Sequence, residues 1–195
     1  MTVRFRLVAV AALVVCAAIP LPARAQPAEA DVRFMQGMIP HHAQALDMTA
    51  LVPDRSSRPD LLLLAERIEV AQTDEIAWMT RWLRDHGAAA PDPSAHARGD
   101  GHHALMPGML SPEEMAHLAG ATGPEFDRLF LQYMIRHHEG ALVMVSELLA
   151  AEGAAQAPEV FQFASDIEAG QRAEIARMRA LLGDDAPPLP EPHHH

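Results

Sequence analysis

There is no lysine in this sequence: all 15 basic residues are arginine, set against 26 Asp and Glu, for a net charge of −11. A chain this acidic is a poor partner for nucleic acid or anionic lipid, which recruit basic patches. Thiols are nearly absent as well. The one cysteine, Cys16, lies in the first 25 residues, so a chain cut after Ala25 forms no disulfide and offers a metal no thiolate. Aromatic residues make up only 5%, while Ala, Leu and Met abound. That balance disfavours a β-sandwich and favours helix. No Ser-His-Asp or Cys-His pairing and no phosphate-cradling Gly loop can be argued, so nothing points to hydrolytic or phosphoryl-transfer chemistry.

The first 25 residues read as a segment to be removed. MTVRFR carries two arginines, LVAVAALVVCAAIPL is apolar, and ARA before Gln26 has small-x-small form. This is the layout of a secretory signal peptide. The apolar run is too short and too interrupted by proline for a comfortable membrane span. A lipoprotein reading would cleave before Cys16, where Val15 is an unsuitable neighbour. Loss of Arg4, Arg6 and Arg24 takes the net charge from −11 to −14. The expected protein is periplasmic or secreted, with no stable membrane span after cleavage.

What the chain does contain is a repeat. FMQGMIPHHAQALDM occupies residues 34–48 and FLQYMIRHHEGALVM residues 130–144, in the same frame. A second pair follows, IEVAQTDEIAWM at 68–79 and IEAGQRAEIARM at 167–178. Each half is thus a His-His segment followed by a Gln-x-x-Glu-Ile-x-x-Met segment, and a two-element repeat present twice dictates the architecture.

All four segments carry helical periodicity. The first runs from about Glu29 to Leu51, with Pro40 inside it as an expected kink. The second has Ser57 as the expected N-cap, Pro59 and Asp60 in its first turn, and closes near His86. The third starts at Thr122 with Glu125 at capping-box spacing and ends near Gly153. The fourth runs from about Pro158 to Gly183, beyond which four prolines forbid helix. In the linker, Ser111 and Glu114 predict a short capped helix. The expectation is an all-α four-helix bundle built from two helical hairpins and a short linking helix. It spans residues 26–186: repeat one about 29–87, linker about 88–121, repeat two about 122–183, then a disordered tail, 187–195.

At 100° per residue, Met38, His41, His42 and Met48 share one face of the first helix; Met134, His137, His138 and Met144 do the same on the third. These are the candidate metal ligands. Glu75, Glu174, Met79 and Met178 from the other two helices, and His102, His103, Met106 and Met109 from the linker, are further candidates. One such histidine is more often a satisfied core residue, and a methionine at helical spacing is more often core filler. Two copies in the same frame favour metal. Thioether and imidazole without thiolate suit copper, with Cu(I) favoured, and Ag(I) by the same softness; zinc through His and Glu is the alternative. Residues 193–195, three histidines, are either further ligands or the remnant of a tag.

The pattern D-x-x-F-x-x-x-M-I-x-H-H-x-x-A-x-x-M is carried by Asp31, Phe34, Met38, Ile39, His41, His42, Ala45 and Met48. It recurs as Asp127, Phe130, Met134, Ile135, His137, His138, Ala141 and Met144. With the linker MPGMLSPEEM, the sequence resembles the domain-of-unknown-function 305 family over essentially the whole mature chain. The resemblance implies a ferritin-like bundle, export from a bacterial cell and, in some relatives, copper binding and copper tolerance. The expected function is copper buffering, transfer or tolerance, with a copper-exporting or copper-accepting protein as partner and no enzymatic activity. Two alternatives stand beside it. One is a ferritin-like di-metal oxidase, although such sites need Glu-x-x-His on two helices and on the expected helices only Glu114 and His117 have that spacing. The other is a metal-free structural or stress-related bundle.

Overall fold

The structure is a computed structural model that describes residues 26–94 and 105–183. The expected leader (1–25), His102 and His103 of the linker, and the expected tail (187–195) lie outside the described residues. The helices are α1 (Glu29–Ala50), α2 (Val52–Arg55), α3 (Pro59–Asp85), α4 (Pro112–Gly120), α5 (Gly123–Ala150) and α6 (Pro158–Leu182). Among the described residues none is long and apolar enough to cross a membrane.

Local sequence sets the helix starts. α3, α4, α5 and α6 each carry proline in the first turn, where its fixed φ suits a helix and its missing N–H costs nothing. α4 has the capping box its sequence predicts. Ser111 Oγ accepts from the Glu114 amide at 3.2 Å, and Glu114 Oε2 accepts from the Ser111 amide at 2.9 Å. Two expected caps are not made. The N-cap of α3 is Arg58, not Ser57, and it is Ser56 Oγ that accepts from the Arg58 amide. Thr122 is the N-cap of α5 without a side-chain bond, because Gly123, at φ +59°, turns the chain into the helix there. The single turn of α2 was not evident in the sequence. α1 continues unbroken through Pro40.

α1 packs on α3 and α5 on α6, and the two hairpins meet chiefly along α1 and α5. Along the outer seam Trp78 of α3 stacks on Phe163 of α6, ring centres 4.0 Å apart. The result is the all-helical four-helix bundle that the repeat predicts. Its apolar core falls into two clusters. One gathers Met48, Ile68, Phe126, Phe130, Met134 and Met178. The other gathers Phe34, Met38, Met79, Trp82, Met144 and Ile167. Between them, along α1 and α5, sit the paired histidines.

The linker returns across the bundle as a strap formed by residues 106–110. Gly108 (φ +76°) meets Gly140 of α5 backbone to backbone: a Cβ on Gly140 would fall 1.9 Å from the Pro107 carbonyl oxygen. Gln44 of α1 clamps the other side, donating to the Leu110 carbonyl at 2.9 Å and accepting from its amide at 2.8 Å. α4 is then tied to α5 by Arg136, which donates to both carboxylate oxygens of Glu114 at 2.6 and 2.7 Å.

Phe130, fully buried, lies where α1, α3, α5 and the linker share one core. Phe130→Ala is expected to lower stability by about 3–5 kcal/mol, measured by urea unfolding. A loss below about 1 kcal/mol would contradict this packing.

Candidate metal centre

The two His-His motifs converge. The rings of His41 and His137 lie against each other across the α1–α5 seam, centroids 3.9 Å apart and tilted by 38°. His42 and His138 flank them, each 6.3 Å from its neighbour in sequence. All four are buried.

Each outer histidine is held by the glutamate of the Gln-x-x-Glu segment. His42 Nε2 bonds Glu75 Oε2 at 2.6 Å, and His138 Nε2 bonds Glu174 Oε2 at 2.6 Å. His41 Nε2 donates instead to the strap, at 3.0 Å from the Pro107 carbonyl oxygen. The Nδ1 atoms of all four rings, and Nε2 of His137, are buried without a hydrogen-bond partner. Gln72 and Gln171 on the same faces also carry unpartnered buried atoms. A buried polar group left unpaired costs about 1–3 kcal/mol, so this layer is an unusually polar and unsaturated centre for a bundle. Burial is the first cause that pushes the His41 imidazole down to about 3, with the neighbouring His42 next and the Pro107 bond partly opposing. Burial first, then His41, holds His137 well below its ordinary value. Both therefore stay neutral, the form that binds a metal.

The methionines divide differently from the sequence grouping. Met38 and Met48 share a helix face but join opposite clusters: Met38 lies in one with Met79 and Met144, Met48 in the other with Met134 and Met178. Each thioether set thus combines α1 and α5 with one outer helix, as antiparallel packing of the repeats requires. Gly37 is the floor for a further pair, since a Cβ there would lie 3.3 Å from Met144 Cε and 3.5 Å from Met106 Sδ. Met109 is buried on the strap. Among the described residues no group of three or more His, Asp or Glu side chains is arranged to hold a metal ion. A metal at this centre therefore draws on methionine or on local rearrangement. Unpartnered imidazole nitrogens and buried thioethers on the same helix faces form a donor set that fits a soft ion. Glu114 and His117 face elsewhere, toward Arg136 and Tyr133 respectively.

Sequence reasoning passed over Gln44, Pro107, Gly108 and Gly140. The one clue was the departure from the repeat, Gln44 facing Gly140 at equivalent positions.

The neutral pair makes the metal-free protein acid-sensitive in a defined way. In the unfolded chain His41 and His137 titrate near the ordinary 6.5, but folded they resist protonation. Their stabilising contribution is complete above about pH 6.5 and declines below it by about 1.4 kcal/mol per pH unit for each. Urea unfolding from about pH 8 to about pH 5 is expected to show this decline in the metal-free protein. The double variant H41Q/H137Q should lose most of it; an unchanged slope would contradict the assignment.

Comparison with known proteins places the fold. Residues 31–182 match the family described as a domain of unknown function, DUF305. A DUF305 fragment from Deinococcus radiodurans is 35% identical with a TM-score of 0.67, the match covering 80% of this chain and 97% of that one. A DUF305 protein from Streptomyces coelicolor is 26% identical with a TM-score of 0.68, covering 82% and 94%. CopM in its Cu(I)-bound form is 30% identical with a TM-score of 0.61, covering 77% and 94%. A comparison with curated proteins gives no match. On the match over residues 31–182 and the shared helical fold, this chain belongs to the DUF305 family.

Proposed function

We propose that this is an exported, non-enzymatic metal-binding protein that takes copper, Cu(I) first, on imidazole and thioether groups to buffer the ion or hand it on. The observation that carries the reading is the convergence of two His-His pairs in one buried layer, with every Nδ1 unpartnered. Thioether selects Cu(I) and imidazole accepts both oxidation states. Structures of CopM hold Cu(I), Cu(II) and silver, which supports the same cargo here. The signal-peptide pattern of residues 1–25 and the description of the Streptomyces coelicolor relative as a secreted protein support a place outside the cytoplasm. A copper-exporting or copper-accepting protein is the partner such a carrier needs.

Within that function His41, His42, His137 and His138 are the core ligand candidates, with Met38, Met144, Met48 and Met134 at either end of the layer. Glu75 and Glu174 orient His42 and His138 from outside. A carboxylate or carbonyl on the far nitrogen fixes a ligand's tautomer and raises its basicity.

An anaerobic titration of the chain from Gln26 onward against a colorimetric Cu(I) chelator tests this. The variant with His41, His42, His137 and His138 all changed to Gln should bind at least about a hundredfold more weakly. Equal binding by both proteins would move the site to the linker methionines and histidines. No binding by either would end the copper reading.

A further inference from the structure

The strap touches the histidine layer at one point, and that contact determines which atom of His41 can meet a metal ion. A carbonyl oxygen only accepts, so the 3.0 Å contact with Pro107 requires the proton on Nε2. A neutral imidazole carries one proton, so Nδ1 is a bare lone pair, buried and without a partner. The arrangement matches that of His42 and His138, whose Nε2 atoms are held by Glu75 and Glu174. Three of the four rings are therefore fixed from outside through the same atom. For His41 the second partner is not a side chain of the bundle but the backbone of a loop.

That loop is built to stay in place. Gly140 and Gly108 let two backbones touch where any side chain would collide. Gln44 holds Leu110 by both its amide and its carbonyl. The repeat shows the specialisation. Gln44 and Gly140 occupy equivalent positions in the two halves, yet one clamps the strap and the other yields space to it. Among the described residues no strap carbonyl meets His137, the counterpart of His41; the His41 backbone lies beside its ring, and neither ring nitrogen has a side-chain partner.

We propose that the Pro107 carbonyl is a positioning group for metal binding: clamped by Gln44 and seated on Gly140, it keeps the proton on His41 Nε2 and presents Nδ1 as the ligand atom. His137, which meets no strap carbonyl, has its ligand nitrogen set on binding. This rests on the metal-binding reading above.

Nitrogen-15 NMR of the histidine rings, before and after addition of Ag(I) as a diamagnetic stand-in for Cu(I), tests it. In the metal-free protein His41 should show the Nε2–H form, and Ag(I) should shift its Nδ1 resonance and leave Nε2 protonated. Gly140→Ala, which pushes the Pro107 carbonyl away, should mix the two His41 tautomers and weaken Ag(I) binding by about 10-fold or more. Gln44→Leu, which frees the strap without adding bulk between helices, should act in the same direction; exchange of the Leu110 amide reports that the strap is loose. The proposal is overturned if Ag(I) shifts Nε2 of His41, or if a loosened strap leaves tautomer and affinity unchanged. Silence at all four rings in the wild-type protein would instead overturn metal binding at the layer itself.

Discussion

The close approach of His41 and His137, ring centroids 3.9 Å apart, is the constraint on which the rest of the structure depends. Two helices can bring imidazoles that close only if neither ring is charged, and neutrality follows from burial. Burial in turn requires apolar cover on both sides. The two methionine-rich clusters supply it, each fully formed only because α1 and α5 run antiparallel. Packing and chemistry are thus not separate uses of these faces: the helix faces that carry the histidines also carry the buried methionines, whose thioethers are soft donors.

Duplication explains the convergence, and its imperfections explain the rest. A two-fold arrangement places equivalent side chains across one seam, so four histidines meet without any long-range device. The outer helices complete the pattern with one glutamate each, at 2.6 Å from His42 and from His138. The linker exists once, however, and must break the symmetry. Where repeat two has Arg136, held by Glu114 of the linker helix, repeat one has Pro40. Where repeat one has Gln44 as a clamp, repeat two has Gly140 as a seat.

Much of this was legible in the sequence because periodicity and repetition are local properties. The four long helices, the capping box at Ser111 and the candidate histidine faces follow from spacing alone. The grouping of the methionines was less accessible. Met38 and Met48 share a face of one helix, and only the crossing of α1 with α5 shows that they serve different clusters. The caps at Ser57 and Thr122 failed as expectations because a neighbouring residue, Ser56 or Gly123, already turns the chain. The strap was hidden for a different reason. Its contacts join residues 66 apart in sequence, and a glycine that gives room to another backbone carries no hydrophobic pattern. Separation in sequence also hides the partners of the outer rings: His42 and Glu75 are 33 residues apart, His138 and Glu174 36, and the fold joins each pair in a hydrogen bond.

The central claim is that the duplicated motifs make one metal centre across the α1–α5 seam. Anomalous scattering at the copper edge, from crystals of the protein loaded with Cu(I), tests that most directly. The account predicts a copper peak between α1 and α5, within bonding distance of histidine nitrogen from both repeats, and with methionine sulfur beside it. Copper bound elsewhere, with His41 and His137 still in contact and metal-free, would contradict it.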